Sequence, residues 1–98
     1  MAGSPTHAIV VRVTFKPGHE DAATKLLEAE VVPAAKRAPG FVAGYWMHAE
    51  NHRSGTSVEL FDGLEHAQAE LGRRSVEMPP ESPVVVDSVQ ILEIVATG

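Results

Sequence analysis

Two extended segments restrict this chain more than anything else in it, because in each of them both alternating sets of side chains are largely apolar. In 7–15, Ile9, Val11, Val13 and Phe15 share one face and Ala8, Val10, Arg12 and Thr14 the other, with Arg12 the exception. In 41–48, one set is Phe41, Ala43, Tyr45 and Met47, the other Val42, Gly44, Trp46 and His48. A strand with one wet face shows one polar set, and neither segment does. Both strands therefore need cover on two sides, from the chain's own helices or from another subunit.

The rest of the chain supplies part of that cover. Lys16-Pro17-Gly18 reads as a turn, and Glu20 and Asp21 then place acids in the first turn of a helix, where the macrodipole favours them. Ala23, Leu26, Leu27, Val31, Ala34 and Ala38 recur at spacings of three and four, which makes an apolar stripe. Glu30 falls inside the stripe, so its carboxylate must find a partner, reach solvent or face a polar hollow. Pro33 is expected to kink or split the helix. Pro39-Gly40 ends it and opens the strand at Phe41, since proline cannot donate and glycine is free to take positive φ.

A polar stretch, 50–55, reads as a hairpin loop, followed by a strand over 56–61 with faces Thr56, Val58, Leu60 and Ser57, Glu59, Phe61. Asp62 stands three residues before Glu65, a capping-box spacing that predicts a short helix through Leu64, Ala67 and Leu71 to Gly72. Residues 73–83 hold three prolines and read as a loop. A last strand spans 84–96. Val89, Ile91 and Val95 lie on one face, interrupted by Asp87 and Glu93, and Leu92, Ile94 and Ala96 lie on the other. Residues 1–6 lack any pattern and are expected to be disordered, leaving 7–98 as a single domain.

The order β, α, β, β, α, β is that of a ferredoxin-like α+β domain with a four-stranded antiparallel sheet. Two helices cover one face of such a sheet. The other face carries more apolar surface than soluble monomers usually tolerate, and pairing with the same face of a second copy covers it, which predicts a homodimer. At 98 residues the chain fits one domain, and with no Cys it has no disulfide framework or thiolate metal site. A net charge of -5, from 13 acidic and 8 basic side chains, argues against a nucleic-acid partner. The run from Ala8 to Val11 is too short for a signal peptide or a membrane span, so the expectation is a cytoplasmic protein with no membrane partner.

With these elements in place, the chain resembles the antibiotic biosynthesis monooxygenase-like domains of the dimeric α+β barrel superfamily. The likeness runs from Ala8 to Ala96. It rests on the strand ending Phe15-Lys16-Pro17-Gly18, on Pro39-Gly40-Phe41 leading into Tyr45-Trp46, on Phe61-Asp62 to Glu65, and on the long final strand. The resemblance implies two sheets pairing in a homodimeric barrel, and activities that range from cofactor-independent oxygenation to haem degradation. For the haem-degrading branch it implies asparagine at Val11, tryptophan at Phe61 and a histidine near Leu71; for the branch acting on aromatic polyketides, asparagine, tryptophan and tyrosine at Ser57, Phe61 and Ala67. This chain carries neither set.

Site candidates follow from position. Trp46 is either a flat wall for an aromatic ligand or a core residue, and His48 on the same face is either a base or a solvated strand end. Glu59 is in phase with Ser57 and Phe61, positions that line the cavity in related domains. It is either a proton acceptor or one half of a salt bridge, with Arg12 as the partner to expect. His66 either faces the cavity or lies on the helix surface. The ligand candidates are thus Trp46, Ser57, Phe61 and His66, and the catalytic ones Glu59 and His48. His48, Glu50 and His52 have ligand chemistry, but a strand running into a loop orients three metal ligands poorly, so no metal or cofactor is expected. Arg73 and Arg74 are accounted for by the dipole of a helix C-terminus. The chain thus reads as a homodimer binding a small hydrophobic or aromatic molecule, with cofactor-independent monooxygenation as its chemistry. The alternatives are a non-catalytic ligand-binding or structural dimer and, third, a haem-binding protein.

Overall fold

A computed structural model describes residues 4–74 and 82–98. Expectations for residues 1–3, and for 75–81 within the proline-bearing loop, lie outside the described residues. The chain forms β1 (His7–Phe15), a helix built of α1 (Glu20–Leu26), a π-helical turn (Leu27–Val31) and α2 (Val32–Lys36), then β2 (Phe41–His48), β3 (Ser54–Phe61), α3 (Leu64–Arg73) and β4 (Val84–Glu93). The strands make one antiparallel sheet in the order β2-β3-β1-β4, the ferredoxin-like arrangement expected from the element order. Thr6 is tied to the sheet as well, since its N–H donates to the Phe61 carbonyl at 2.9 Å and its carbonyl accepts from Ile94 N–H at 2.8 Å.

Register decides which residues face the helices. Ile9 pairs with Glu59 and Ile91, Val11 with Ser57 and Val89, and Trp46 with Ser57, so these side chains share the inner face. The outer face carries Val10, Val58 and Tyr45 in one row and Leu92, Ala8, Leu60 and Ala43 in the next. Two bulges correct the simple alternation. Between Phe41 and Ala43 the register slips, so Phe41 lies opposite Phe61 and joins the inner face while Ala43, Tyr45 and Met47 face outward. The Phe41 and Phe61 rings meet edge to face at 6.0 Å. A second slip, opposite Arg12 and Val13, lifts Asp87 out of the face of Val89, and its carboxylate accepts from the Thr14 hydroxyl at 2.7 Å.

Other local expectations are also revised. Gly55 belongs to β3, not to the hairpin loop: it is buried opposite Val13 and His48, with the Phe15 ring against it. Asp62 does not cap α3. The helix starts two residues later, behind Gly63, and the Asp62 carboxylate is taken up by His66 Nδ1 at 2.6 Å. Gly40 has φ +80°, and a Cβ there would strike both His66 and Asp62, so only glycine closes this corner. Pro33 splits the first helix in an orderly way. Its missing N–H and bulky ring disrupt a normal α turn, and ahead of it the backbone widens so that Val32 N–H reaches the Leu27 carbonyl five residues back.

The core is small and lies toward one end. Ile9, Phe61 and Ala67 are fully buried, with Val11, Ala38, Phe41, Leu71 and Ile91 packed around them. Burial of an Ile or Phe side chain contributes roughly 1.5–3 kcal/mol. α3 rests on β1, β3 and β4, and α2 on β2. α1 and the π turn pack chiefly along their own helix, so part of the inner face stays uncovered.

Candidate functional site

That uncovered part is a cleft of about 1300 Å³. Its floor is the inner face of the sheet, with Val11, Val13, Trp46 and Ser57; Leu26, Leu27 and Val31 form the helical wall. The wall is largely apolar. Ala23, buried on the same helix, adds only a methyl group to this wall.

One end is charged. Glu59 is 1% exposed on β3, and Arg74, just past α3, grips it end-on: Nη1 donates to Oε2 and Nη2 to Oε1, both at 2.6 Å. Arg74 Nε also donates to Glu70 Oε2 at 2.5 Å. Arg73 donates to Glu70 through Nε at 2.9 Å and through Nη2 as well. Two carboxylates and two guanidiniums thus join the middle of β3 to the end of α3. Burial disfavours the Glu70 charge, but the Arg73 hydrogen bond and the adjacent Arg74 charge outweigh it, holding this carboxyl below its ordinary range. Burial likewise opposes the Arg74 charge, and the Glu59 hydrogen bonds and charge more than compensate, raising its pKa.

This network revises the reading of Glu59. Its ion-pair partner is Arg74, not Arg12, which pairs with Thr56 on the outer face and cannot reach across the sheet. With each oxygen accepting from the Arg74 guanidinium, Glu59 is one half of a bidentate ion pair, the second of the two readings that its phase left open. Nor are Arg73 and Arg74 merely dipole partners of the helix. The signal was in the sequence: Glu70 lies three and four residues before them, within reach on a helix, and a buried in-phase carboxylate requires a cation.

The remaining candidates divide. Trp46 and Ser57 line the cleft, as does His48 at its other end, where its ring meets Phe15 at 5.0 Å and His52 at 6.0 Å. Trp46 folds back over Gly44, where a Cβ would come within 2.6 Å of the indole. Phe61, 0% exposed in the core, and His66, on the outside of α3 against Asp62, are not among the residues that line this cleft. No group of three His, Asp or Glu among the described residues is arranged to hold a metal ion, so His48, Glu50 and His52 do not form a ligand set. Glu30, singled out by its misfit in the helical stripe, stands in the π turn on the cleft wall, beside a recess of about 260 Å³ that it shares with Val31, Ala34, Arg73 and Arg74.

No helix among the described residues is long and apolar enough to cross a membrane. No family model matches the sequence, and no curated protein does. Solved structures match over nearly the whole chain. A protein of unknown function from Nitrosomonas europaea is 21% identical with a TM-score of 0.70, covering 96% of this chain and 93% of its own. The haem degrader MhuD of Mycobacterium tuberculosis, solved with two haems in its active site, is 14% identical with a TM-score of 0.70, covering 94% and 98%. A Streptomyces coelicolor monooxygenase, solved with nanaomycin D, is 10% identical with a TM-score of 0.67, covering 95% and 90%. The four-stranded sheet with its helices on one face is therefore the fold of the antibiotic biosynthesis monooxygenase-like proteins.

Proposed function

We propose that the protein is a homodimer that binds a small hydrophobic or aromatic molecule in the cleft between its sheet and its first helix. The observation that carries this is the cleft itself: about 1300 Å³ of mostly apolar space with the indole of Trp46 in its floor, in a domain with so small a packed core. The dimer follows from the outer face, where Tyr45 is 57%, Met47 47% and Leu92 47% exposed beside Val10, Val58 and Leu60.

Cofactor-independent oxygenation is the chemistry such a cleft would support. An acidified carbon of the substrate loses a proton to a base and transfers electrons to dioxygen. The hydroperoxide that forms at that carbon loses water and leaves a carbonyl, so one oxygen atom enters the product and the other leaves as water. His48 is the imidazole at the cleft and the base to test for that step. Haem fits less well. At the α3 end of the cleft the lining residues are Leu71, Arg73 and Arg74, none of them an iron ligand, His66 is turned away against Asp62, and the imidazole on the lining, His48, lies at the far end.

The test uses 1-aminoanthracene, a neutral probe whose emission can be excited through the single Trp. Saturable binding is expected at one probe per chain, and Val13→Trp, which fills the cleft floor, should abolish it. Unsaturable binding, or binding untouched by Val13→Trp, would refute the cleft as a ligand site.

A further inference from the structure

Within the charged cluster at the end of the cleft, the two carboxylates are sealed and a guanidinium is not. Glu59 is 1% and Glu70 3% exposed, whereas the Arg74 side chain, which holds both, is 24% exposed and lines the cleft as well as the smaller recess. We propose that Arg74 is the polar anchor of the binding site, donating to the oxygen of an uncharged aromatic ketone. The proposal rests on the cleft being a ligand site.

The number of donors is the first argument. A guanidinium has five N–H groups in one plane, and Arg74 uses three of them on the described residues: one on each Nη for the Glu59 oxygens, and Nε for Glu70 Oε2. One N–H on each Nη is left over. Contacts to two buried carboxylates fix the plane of this guanidinium from two sides, so its remaining donors are held in place. Arg73, also on the lining, is 58% exposed and tied to Glu70 alone. A buried ion pair adds little stability over apolar side chains of similar volume, so the cluster is better accounted for by the donor it immobilises than by the energy it contributes.

The surroundings set the ligand class. Two arginines meet two glutamates in this cluster, so its formal charge is zero and it exerts no net pull on an anion. What it offers in a largely apolar cleft is N–H, and the matching partner is an acceptor that sheds its hydration at low cost, a carbonyl oxygen rather than a carboxylate or phosphate. Length follows from register. His48 pairs with Gly55, and Glu59 lies four residues further along β3, which puts about 13 Å of floor between the imidazole and guanidinium ends. Trp46 and Ser57 lie between them. Two fused rings fit that span with a carbonyl at the Arg74 end.

Equilibrium dialysis of 2-acetylnaphthalene and 2-ethylnaphthalene, alike in shape but for the carbonyl, tests this on the native protein and on the double variant Glu59→Met, Arg74→Met, which removes the guanidinium without stranding its partner. The ratio of the two affinities should move at least about tenfold away from 2-acetylnaphthalene in the double variant, the usual worth of a hydrogen bond to a charged group. An unchanged ratio, or a native protein that binds only 2-ethylnaphthalene, would overturn the role of Arg74 and leave the cleft a ligand site. A second measurement does not depend on how the variant folds. In isotope-edited infrared spectra, the carbonyl stretch of 2-acetylnaphthalene bound to the native protein should lie below its position in hexane, and a band at the hexane position overturns the role equally. If neither compound binds the native protein, both readings fall.

Discussion

Replacing Arg74 by Met should be among the most damaging single changes this domain can suffer, although Arg74 lies at the end of a helix. Arg74 is 24% exposed but its partner Glu59 is 1% exposed, so the substitution strands a carboxylate where water cannot reach it. Removing one partner from a buried ion pair costs about 3–5 kcal/mol, against about 5–15 kcal/mol for the whole fold. Glu70 is less affected, because Arg73 still holds it. At ~4–8 °C per kcal/mol for a domain of this size, the melting temperature should fall by at least about 12 °C. Urea unfolding followed by circular dichroism and by the emission of Trp46, at one fixed protomer concentration, measures the cost. The double variant Glu59→Met, Arg74→Met should recover most of it, since apolar replacement of both partners is often neutral or stabilising. A loss below about 1 kcal/mol for the single change, or a double variant no better than the single one, would refute the desolvation argument.

Three further outcomes follow from particular contacts. Sedimentation should show a dimer at micromolar concentration, and Met47→Lys with Leu92→Lys, placing charges on the outer face, should give a monomer; a native monomer would remove the second subunit. Glu70, held below its ordinary value of 4.5 in the folded state, takes up its proton more readily when unfolded, so its stabilisation is complete above that value and is lost as pH falls through the folded one. Glu70→Gln should accordingly flatten the acid limb of the stability profile, and an unaltered limb in urea titrations would refute the assignment. Gly44→Ala should push the Trp46 indole off the strand, changing its emission maximum with little change in far-ultraviolet dichroism; an unshifted spectrum would mean that the ring does not lie there.

Local chemistry made much of the fold legible. Period-two runs of β-branched residues, a three-four stripe between Ala23 and Ala38, and Pro39-Gly40 at a corner with φ +80° specify the elements and their order, because each depends on neighbours in the chain. Even Glu30 was visible as a misfit. What the sequence could not express was anything that depends on register or on a meeting of distant residues. The bulge at Val42 sends Phe41 to Phe61, a slip of one residue that no alternation pattern records. Glu59 was placed on the inner face by phase alone, but phase cannot say that Arg74, fifteen residues later, arrives beneath it when α3 crosses the sheet. Only the packed chain decided that one cleft carboxylate is buried and bound while the other is left open, because that depends on where two elements end in space.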